Sequence, residues 1–293
     1  MKTSNYSKYK PINKPYVTVT VPVYNEENCI GDCLLSLLKQ DFKPLEILVV
    51  DDGSKDNSVK ICENLKIKVL KQDHKGLGAA RNLGAHNAKG NIIVLADADM
   101  VFSPDYVSKL IAPIIKGEAI ATCHWNERVA NWDNPWARCE TWHKGLPDKR
   151  RQPLTFPEHS GQYRALRKDF FLNSGGLAEE KGYKADISIY WRTGISAKLV
   201  PDASCYHRNI EGLGELFKEA RWRGRHAAIS REHRSRRFFA ILLIYNNPLF
   251  EMLRGIYLSL VKKEPRMFFY SITYTISFYI GYVSAIYSGY YQK

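Results

Sequence analysis

Apolar residues follow two alternating rhythms through the amino-terminal third of the chain. Tyr16 to Val23 is β-branched and extended in pattern, and Leu45 to Val50, Ile67 to Leu70 and Asn91 to Leu95 are short apolar runs bounded by polar residues, so four strands are predicted. Between them, Asn28 to Gln40 puts Ile30, Cys33, Leu34, Leu37 and Leu38 on one helical stripe, a short helix ends near Leu65, and Gly76 to Ala88 reads as a small-residue helix. Strands alternating with helices predict a parallel sheet joined by right-handed crossovers. The run Ile92-Ile93-Val94-Leu95 has the pattern of a strand covered on both faces, and the chain then reaches Asp97-Ala98-Asp99. Ligands of such sheets gather outside the carboxyl ends of the strands, so the polar loops should meet at one edge.

Further along, Glu118 to His124, Ser160 to Arg167 and Leu199 to His207 read as strands, while Ser103-Pro104-Asp105 opens a helix and Asn173-Ser174-Gly175-Gly176 is a tight turn. Trp125 to Asp148 shows no clear period and predicts a substrate-facing insertion, whose Trp125, Trp132, Trp136 and Trp142 either form a sugar or lipid platform or pack the loop. Asp186 opens a helix whose apolar positions are Ile187, Tyr190 and Trp191. Phe238 to Val261 is apolar but interrupted by Pro248, Glu251 and Arg254, as in interfacial helices. Met267 to Gln292 carries no charge and exceeds the ~20 residues that cross a bilayer. The expected organisation is a basic extension (1–15), a globular body (16–230, with halves 16–100 and 101–230) and a tail (231–293) that associates with a membrane or packs on the body as a helical subdomain.

Charge narrows the partners. A formal net charge of +13 and a pI near 9.3 point to nucleic acid, an acidic lipid surface or phosphorylated substrates. The cluster Arg221, Arg223, Arg225, Arg231, Arg234, Arg236 and Arg237 directly before an apolar stretch suits a cytosolic leaflet, while Arg221, Trp222 and Arg225 equally suit a diphosphate or an acceptor. The six cysteines include no Cys-x-x-Cys pair and are expected to be reduced thiols. Met1 to Lys14 lacks an apolar signal segment, so the body is expected on the cytoplasmic side, membrane-associated through its tail.

The loops carry readable chemistry. After Pro22, which restricts the backbone, Tyr24 either stacks on a nucleobase or packs the rim; Glu26 either takes ribose hydroxyls or caps the next helix. Asp52 either meets a base edge or ribose donor or forms an Asx-turn. Arg81, one turn into a helix whose amino terminus faces the same edge, meets phosphate or makes a salt bridge. Asp97 and Asp99, two apart in extended chain, either share a hard divalent cation or cap the following helix. Gly76-Leu77-Gly78-Ala79-Ala80-Arg81 departs from the dinucleotide fingerprint at its third glycine, which disfavours a dehydrogenase.

Taken together, Val21-Pro22-Val23-Tyr24-Asn25-Glu26-Glu27, Asp51-Asp52-Gly53-Ser54-x-Asp56, Gly76-x-x-x-Ala80-Arg81-Asn82-x-Gly84 and Asp97-Ala98-Asp99 resemble, in order and spacing, the successive motifs of family 2 glycosyltransferases. The resemblance implies a GT-A fold: a Rossmann-like, mixed and mostly parallel α/β sheet flanked by helices. It also implies transfer of a hexose from a UDP- or GDP-sugar to a lipid-linked or glycan acceptor. On it, Pro22, Tyr24, Glu26, Asp52, Arg81 and Asp97 contact the nucleotide sugar, and Asp97, Asp99 and His207 hold Mn or Mg. Asp186 matches the second position of the family's Glu-Asp motif, the general base of inverting members, although Ala185 replaces the first acid. The competing classes are a nucleic-acid-binding protein, which leaves the acidic loops unexplained, and a non-catalytic nucleotide-sugar-binding member.

Overall fold

The computed structural model describes residues 9–155, 157, 160–179, 185–229 and 247–287. Residues 182–184 ahead of Asp186, the arginines at 231, 234, 236 and 237, the apolar stretch 238–245 and the last six positions lie outside the described residues. Two compact units emerge: residues 1–128 with 154–207, and residues 129–153 with 208–293. The tail thus groups with 129–153 and with the segment from 208 onward.

The first unit is built on one sheet. Its elements are β1 (Val17–Val23), α1 (Ile30–Leu38), β2 (Leu45–Asp51), α2 (Ser58–Asn64), β3 (Lys68–Lys71), α3 (Leu77–Asn87), β4 (Ile92–Leu95), β5 (Met100–Phe102), α4 (Tyr106–Ile115) and β6 (Ala121–Val129). After the excursion into the second unit come β7 (Ala165–Arg167), α6 (Lys168–Asn173), α7 (Ser188–Thr193) and β8 (Lys198–His207). The strand order is β3-β2-β1-β4-β7-β6-β8-β5. β1 pairs in parallel with β2 and β4, and β2 with β3; β7 runs antiparallel to β4 and β6, and β5 to β8. The sheet is therefore mixed, with its parallel half formed by the amino-terminal strands.

β4 shows why its sequence is uniformly apolar. Ile92 and Val94 join the core with Val19, Val21, Leu34 and Leu37, while Ile93 and Leu95 face the other layer with Ala85, Ala88 and Phe171. Successive side chains point to opposite faces, and both faces are covered. Pro22 is tolerated because the β1–β4 register ends at Thr20 and Leu95, so its missing N–H costs no bond on that side.

Several elements differ from the sequence reading. The strand predicted from Ser160 shrinks to Ala165–Arg167, with an isolated bridge from Ser160 to Ala197. The buried positions of α7 are Ser188 and Ile189, while Tyr190 and Trp191 are exposed, so the predicted apolar stripe faces outward. β5 separates Asp97 and Asp99 from α4, so neither aspartate caps that helix.

The second unit contains α5 (Pro135–His143), α8 (Leu213–Ile229), α9 (Pro248–Val261) and α10 (Arg266–Tyr287). The segment expected to be an aperiodic insertion instead completes β6 and forms α5, which Asn134 caps by accepting from the Trp136 N–H at 2.8 Å. Trp132, Trp136 and Trp142 pack with Cys139, Ile210, Leu216, Met267 and Tyr270 rather than presenting a platform. In the tail, among the described residues, no helix is long and apolar enough to cross a membrane. α10 is rich in Tyr, Ser and Thr, and it packs against α5, α8 and α9.

Candidate active site

The carboxyl ends of β1, β2 and β4, the turn before α3, Asp186 and the end of β8 enclose a cleft of about 380 Å³ in the first unit. Pro22, Tyr24, Glu26, Asp52, Arg81, Asp97, Asp99, Asp186 and His207 all line it. Topology explains this convergence: parallel strands that start on one side of a sheet end on the other. Arg221, Trp222 and Arg225 lie on α8 in the second unit, where the Arg225 Nε donates to Ser284 Oγ at 3.3 Å.

At the ends of β1 and β2, Asp52 is buried and already met by protein donors. Gln72 Nε2 and the Lys75 N–H donate to its Oδ1 at 2.7 and 2.8 Å, and the Gly76 N–H donates to Oδ2 at 2.9 Å. Gly76 sits at φ +93°, a conformation that favours glycine and turns its N–H toward the carboxylate. His74 Nδ1 lies 2.9 Å from the same Oδ2, and the His74 ring stacks on Tyr24 with centroids 4.2 Å apart. Tyr24 is 42% exposed, so a large part of its surface remains open. The Glu26 carboxylate accepts from the Cys29 thiol at 2.9 Å, and its backbone carbonyl accepts the first N–H groups leading into α1.

At the centre, Arg81 is only 2% exposed and bridges two carboxylates, donating to Asp97 Oδ1 and to Asp186 Oδ1. Arg164 donates to the other oxygen of Asp97 at 2.8 Å. Burial alone would raise the Asp97 carboxyl, but Arg164, Arg81 and then His207 hold it well below the usual carboxylate range. Arg164 in turn titrates well above an ordinary arginine: burial opposes its charge, and Asp97 and Asp186 more than restore it.

The three residues expected to hold a metal are thereby divided. Both oxygens of Asp97 are engaged by guanidinium groups, whereas His207 Nε2 lies 2.8 Å from Asp99 Oδ2 on the cleft wall. No group of three or more metal-ligating side chains is assembled among the described residues. Asp99 and His207 nevertheless offer one hard oxygen and one imidazole nitrogen side by side, a donor pair that suits Mn or Mg completed by ligand oxygens. The lining points the same way, since five carboxylates but one arginine face the cleft.

Three neighbours of these residues have no motif to announce them. Arg164 sits just before β7, whose register against β4 brings it to Asp97; Glu127 reaches His207 from β6; His74 stands beside the Gly76 turn. Local pattern cannot reveal the first two, because strand order creates both contacts.

A mixed α/β sheet carrying acidic loops to a nucleotide-sized cleft is the architecture of a GT-A-like enzyme. The match to the Glycosyl transferase family 2 profile covers residues 18–174, more than half of the chain, and the protein belongs to that family. Among curated relatives, glycosyltransferase GlyA of Streptococcus pneumoniae is 42% identical over 108 residues, 35% of this chain and 16% of that protein. Putative glycosyltransferase EpsH of Bacillus subtilis is 40% identical over 102 residues, 33% of this chain and 30% of EpsH. The chain therefore spans less than a third of either relative's length. Among solved structures, the mannosyltransferase PcManGT of Pyrobaculum calidifontis in complex with GDP-Man and Mn2+ superposes with TM-score 0.59 at 19% identity, covering 96% of this chain and 89% of that one. S. aureus TarS 1–349 in complex with UDP-GlcNAc gives TM-score 0.55 at 17% identity, covering 93% and 92%. At these identities the likeness shows the fold alone.

Proposed function

We propose that the protein transfers a hexose from a UDP- or GDP-sugar to a lipid-linked or glycan acceptor, with inversion and with the help of a divalent cation. The observation that carries this reading is the cleft itself, which Tyr24, Asp52, Asp99, His207 and Asp186 line together; in this reading the first two take the base and the last three the reacting end. Nucleotide sugars bound to similarly folded proteins support it. In the transfer, the acceptor hydroxyl oxygen bonds to the anomeric carbon while the bond to the diphosphate oxygen breaks on the opposite face; Asp186 takes the hydroxyl proton and the nucleoside diphosphate departs. Asp99 and His207 would hold Mn or Mg, which when bound would supply Lewis-acid stabilisation of the diphosphate. Arg81 fixes Asp186 and Asp97 in the same frame, through its two guanidinium contacts.

A melting screen tests the reading. The matching nucleotide sugar at about 100 times its Kd with Mn2+ should stabilise the fold by about 2.7 kcal/mol. Equal melting with and without every UDP- and GDP-sugar, Mn2+ present, would refute donor binding. Membrane association belongs to the proposal in its interfacial form, on the cytoplasmic side. Leu249, Leu253, Tyr257 and Leu260 of α9 are more than half exposed, with Lys262 and Lys263 directly after them. Cosedimentation with anionic but not neutral vesicles is the expected result; absence from both pellets would refute it.

A further inference from the structure

Glu127 takes no part in the transfer chemistry above, yet it is a carboxylate buried to 5% exposure directly behind the cleft wall. Its Oε1 lies 2.5 Å from His207 Nδ1. Its other oxygen lies 3.5 Å from His124 Nε2, and His124 Nδ1 lies 2.8 Å from the hydroxyl of the fully buried Tyr106. A chain of polar contacts thus runs from the core, Tyr106 to His124 to Glu127, and ends at His207; of these four only His207 lines the cleft.

The chemistry of this arrangement is restrictive. With a cation in place of hydrogen at Nε2, the ring's one hydrogen lies on Nδ1, where the Glu127 carboxylate accepts it. The nitrogen left for the cleft is Nε2, the one beside Asp99. A ring flip would place carbon atoms against both carboxylates and break the Nδ1 contact to Glu127. Tyr106 in turn holds His124, the residue beside the other oxygen of Glu127.

We propose that Glu127 is a positioning residue, which fixes the ring and tautomer of His207 so that Nε2 is presented with Asp99 to a divalent cation. The inference rests on the metal-dependent reading above and deepens it. An acceptor of this kind behind a ligating histidine raises its basicity, and losing it lowers metal affinity by about 10- to 100-fold.

The test measures Mn2+ affinity of the full chain, from the resonance signal of free Mn2+, with UDP or GDP as the melting screen selects. Glu127→Leu should bind Mn2+ about 10- to 100-fold more weakly. Glu127→Gln, whose amide oxygen still accepts from Nδ1, should recover most of the loss. In a His207→Ala background Glu127→Leu should add nothing, because its effect passes through that ring. Wild-type affinity in Glu127→Leu, a full additional loss on top of His207→Ala, or Gln no better than Leu would each overturn the assignment. Should the leucine variant fail to fold, the ring nitrogen shifts of His207 in the wild-type protein with Mg2+ decide: hydrogen on Nδ1 upholds the proposal and hydrogen on Nε2 overturns it. If the wild-type protein itself binds no Mn2+, the metal reading falls and this inference with it; normal wild-type binding with an indifferent Glu127 sinks the inference alone.

Discussion

Arg81 donates a guanidinium N–H to the carboxylate of Asp186, which lies 105 residues further along the chain. The contact orients the candidate base beside Asp97, the second carboxylate on the same guanidinium. In the proposed reaction aspartate serves through two separate properties: it can take a proton, and it answers the arginine.

Asp186→Asn separates the two. The amide keeps an oxygen for Arg81 but cannot accept the acceptor's proton, so turnover should fall by about 100- to 10,000-fold. Donor affinity, measured by calorimetry with the nucleotide alone, should stay near the wild-type value. Turnover within a few-fold of wild type would remove Asp186 from the role of base.

Arg81→Leu addresses the frame. It leaves Asp97 with Arg164 alone and takes from Asp186 its guanidinium contact. Breaking a buried ion pair from one side costs about 3–5 kcal/mol, and Lys in its place cannot span both carboxylates as the guanidinium fork does. Urea midpoints should therefore drop for both Arg81→Leu and Arg81→Lys. A lysine variant as stable as wild type would show that charge alone, without the fork, suffices.

Proton linkage gives an independent check on the interior behind the cleft. Burial pushes the His124 imidazole below its ordinary value; the Glu127 hydrogen bond pulls it back up and Arg164 pushes it down. In the unfolded chain histidine titrates near about 6.5. Below that pH the unfolded chain binds the proton first, so the stability His124 contributes is complete above about 6.5 and is lost as the pH falls toward the folded value. His124→Phe should flatten the fall in stability between about pH 6.5 and 5.5, by up to about 1.4 kcal/mol per pH unit. An unchanged slope would show that His124 is already protonated in the fold.

The parallel half of the sheet and the loops it carries were legible because each strand there is a local apolar run and each loop follows its own strand. Contacts made by strand order were not. Arg164 reaches Asp97 because β7 lies antiparallel beside β4, with Leu95 N–H donating to the Arg164 carbonyl at 2.8 Å, and no local period encodes that register. The sequence reading already sets Asp99 with His207 as the metal side and Asp97 as the nucleotide side; only the Arg164 partner of Asp97 was hidden. The tail was ambiguous for another reason. An uncharged apolar stretch satisfies a bilayer and a helical neighbour alike, and only packing distinguishes them: Met267, Tyr270, Phe278 and Tyr282 of α10 are buried. At α7 the apolar residues flanking Asp186 suggested a buried stripe, yet Tyr190 and Trp191 face outward.

That packing makes a prediction of its own. A Cβ on Gly224 of α8 would collide with the carbonyl oxygen of Phe278, and one on Gly281 of α10 would collide with the carbonyl oxygen of Arg221. Both obstacles are backbone atoms, which cannot turn aside as a flexible side chain can, so a single methyl group must push the two helices apart. Gly224→Ala and Gly281→Ala should each destabilise by about 1–3 kcal/mol, although alanine is the better helix former. The two changes widen one interface, so the double variant should cost less than the sum. Gly214, in the first turn of α8, has nothing within 4 Å of its Cβ position, so Gly214→Ala should instead stabilise by up to about 1 kcal/mol. Urea denaturation of the four proteins reads these signs directly, and a neutral Gly224→Ala would mean that α8 and α10 do not approach each other this closely.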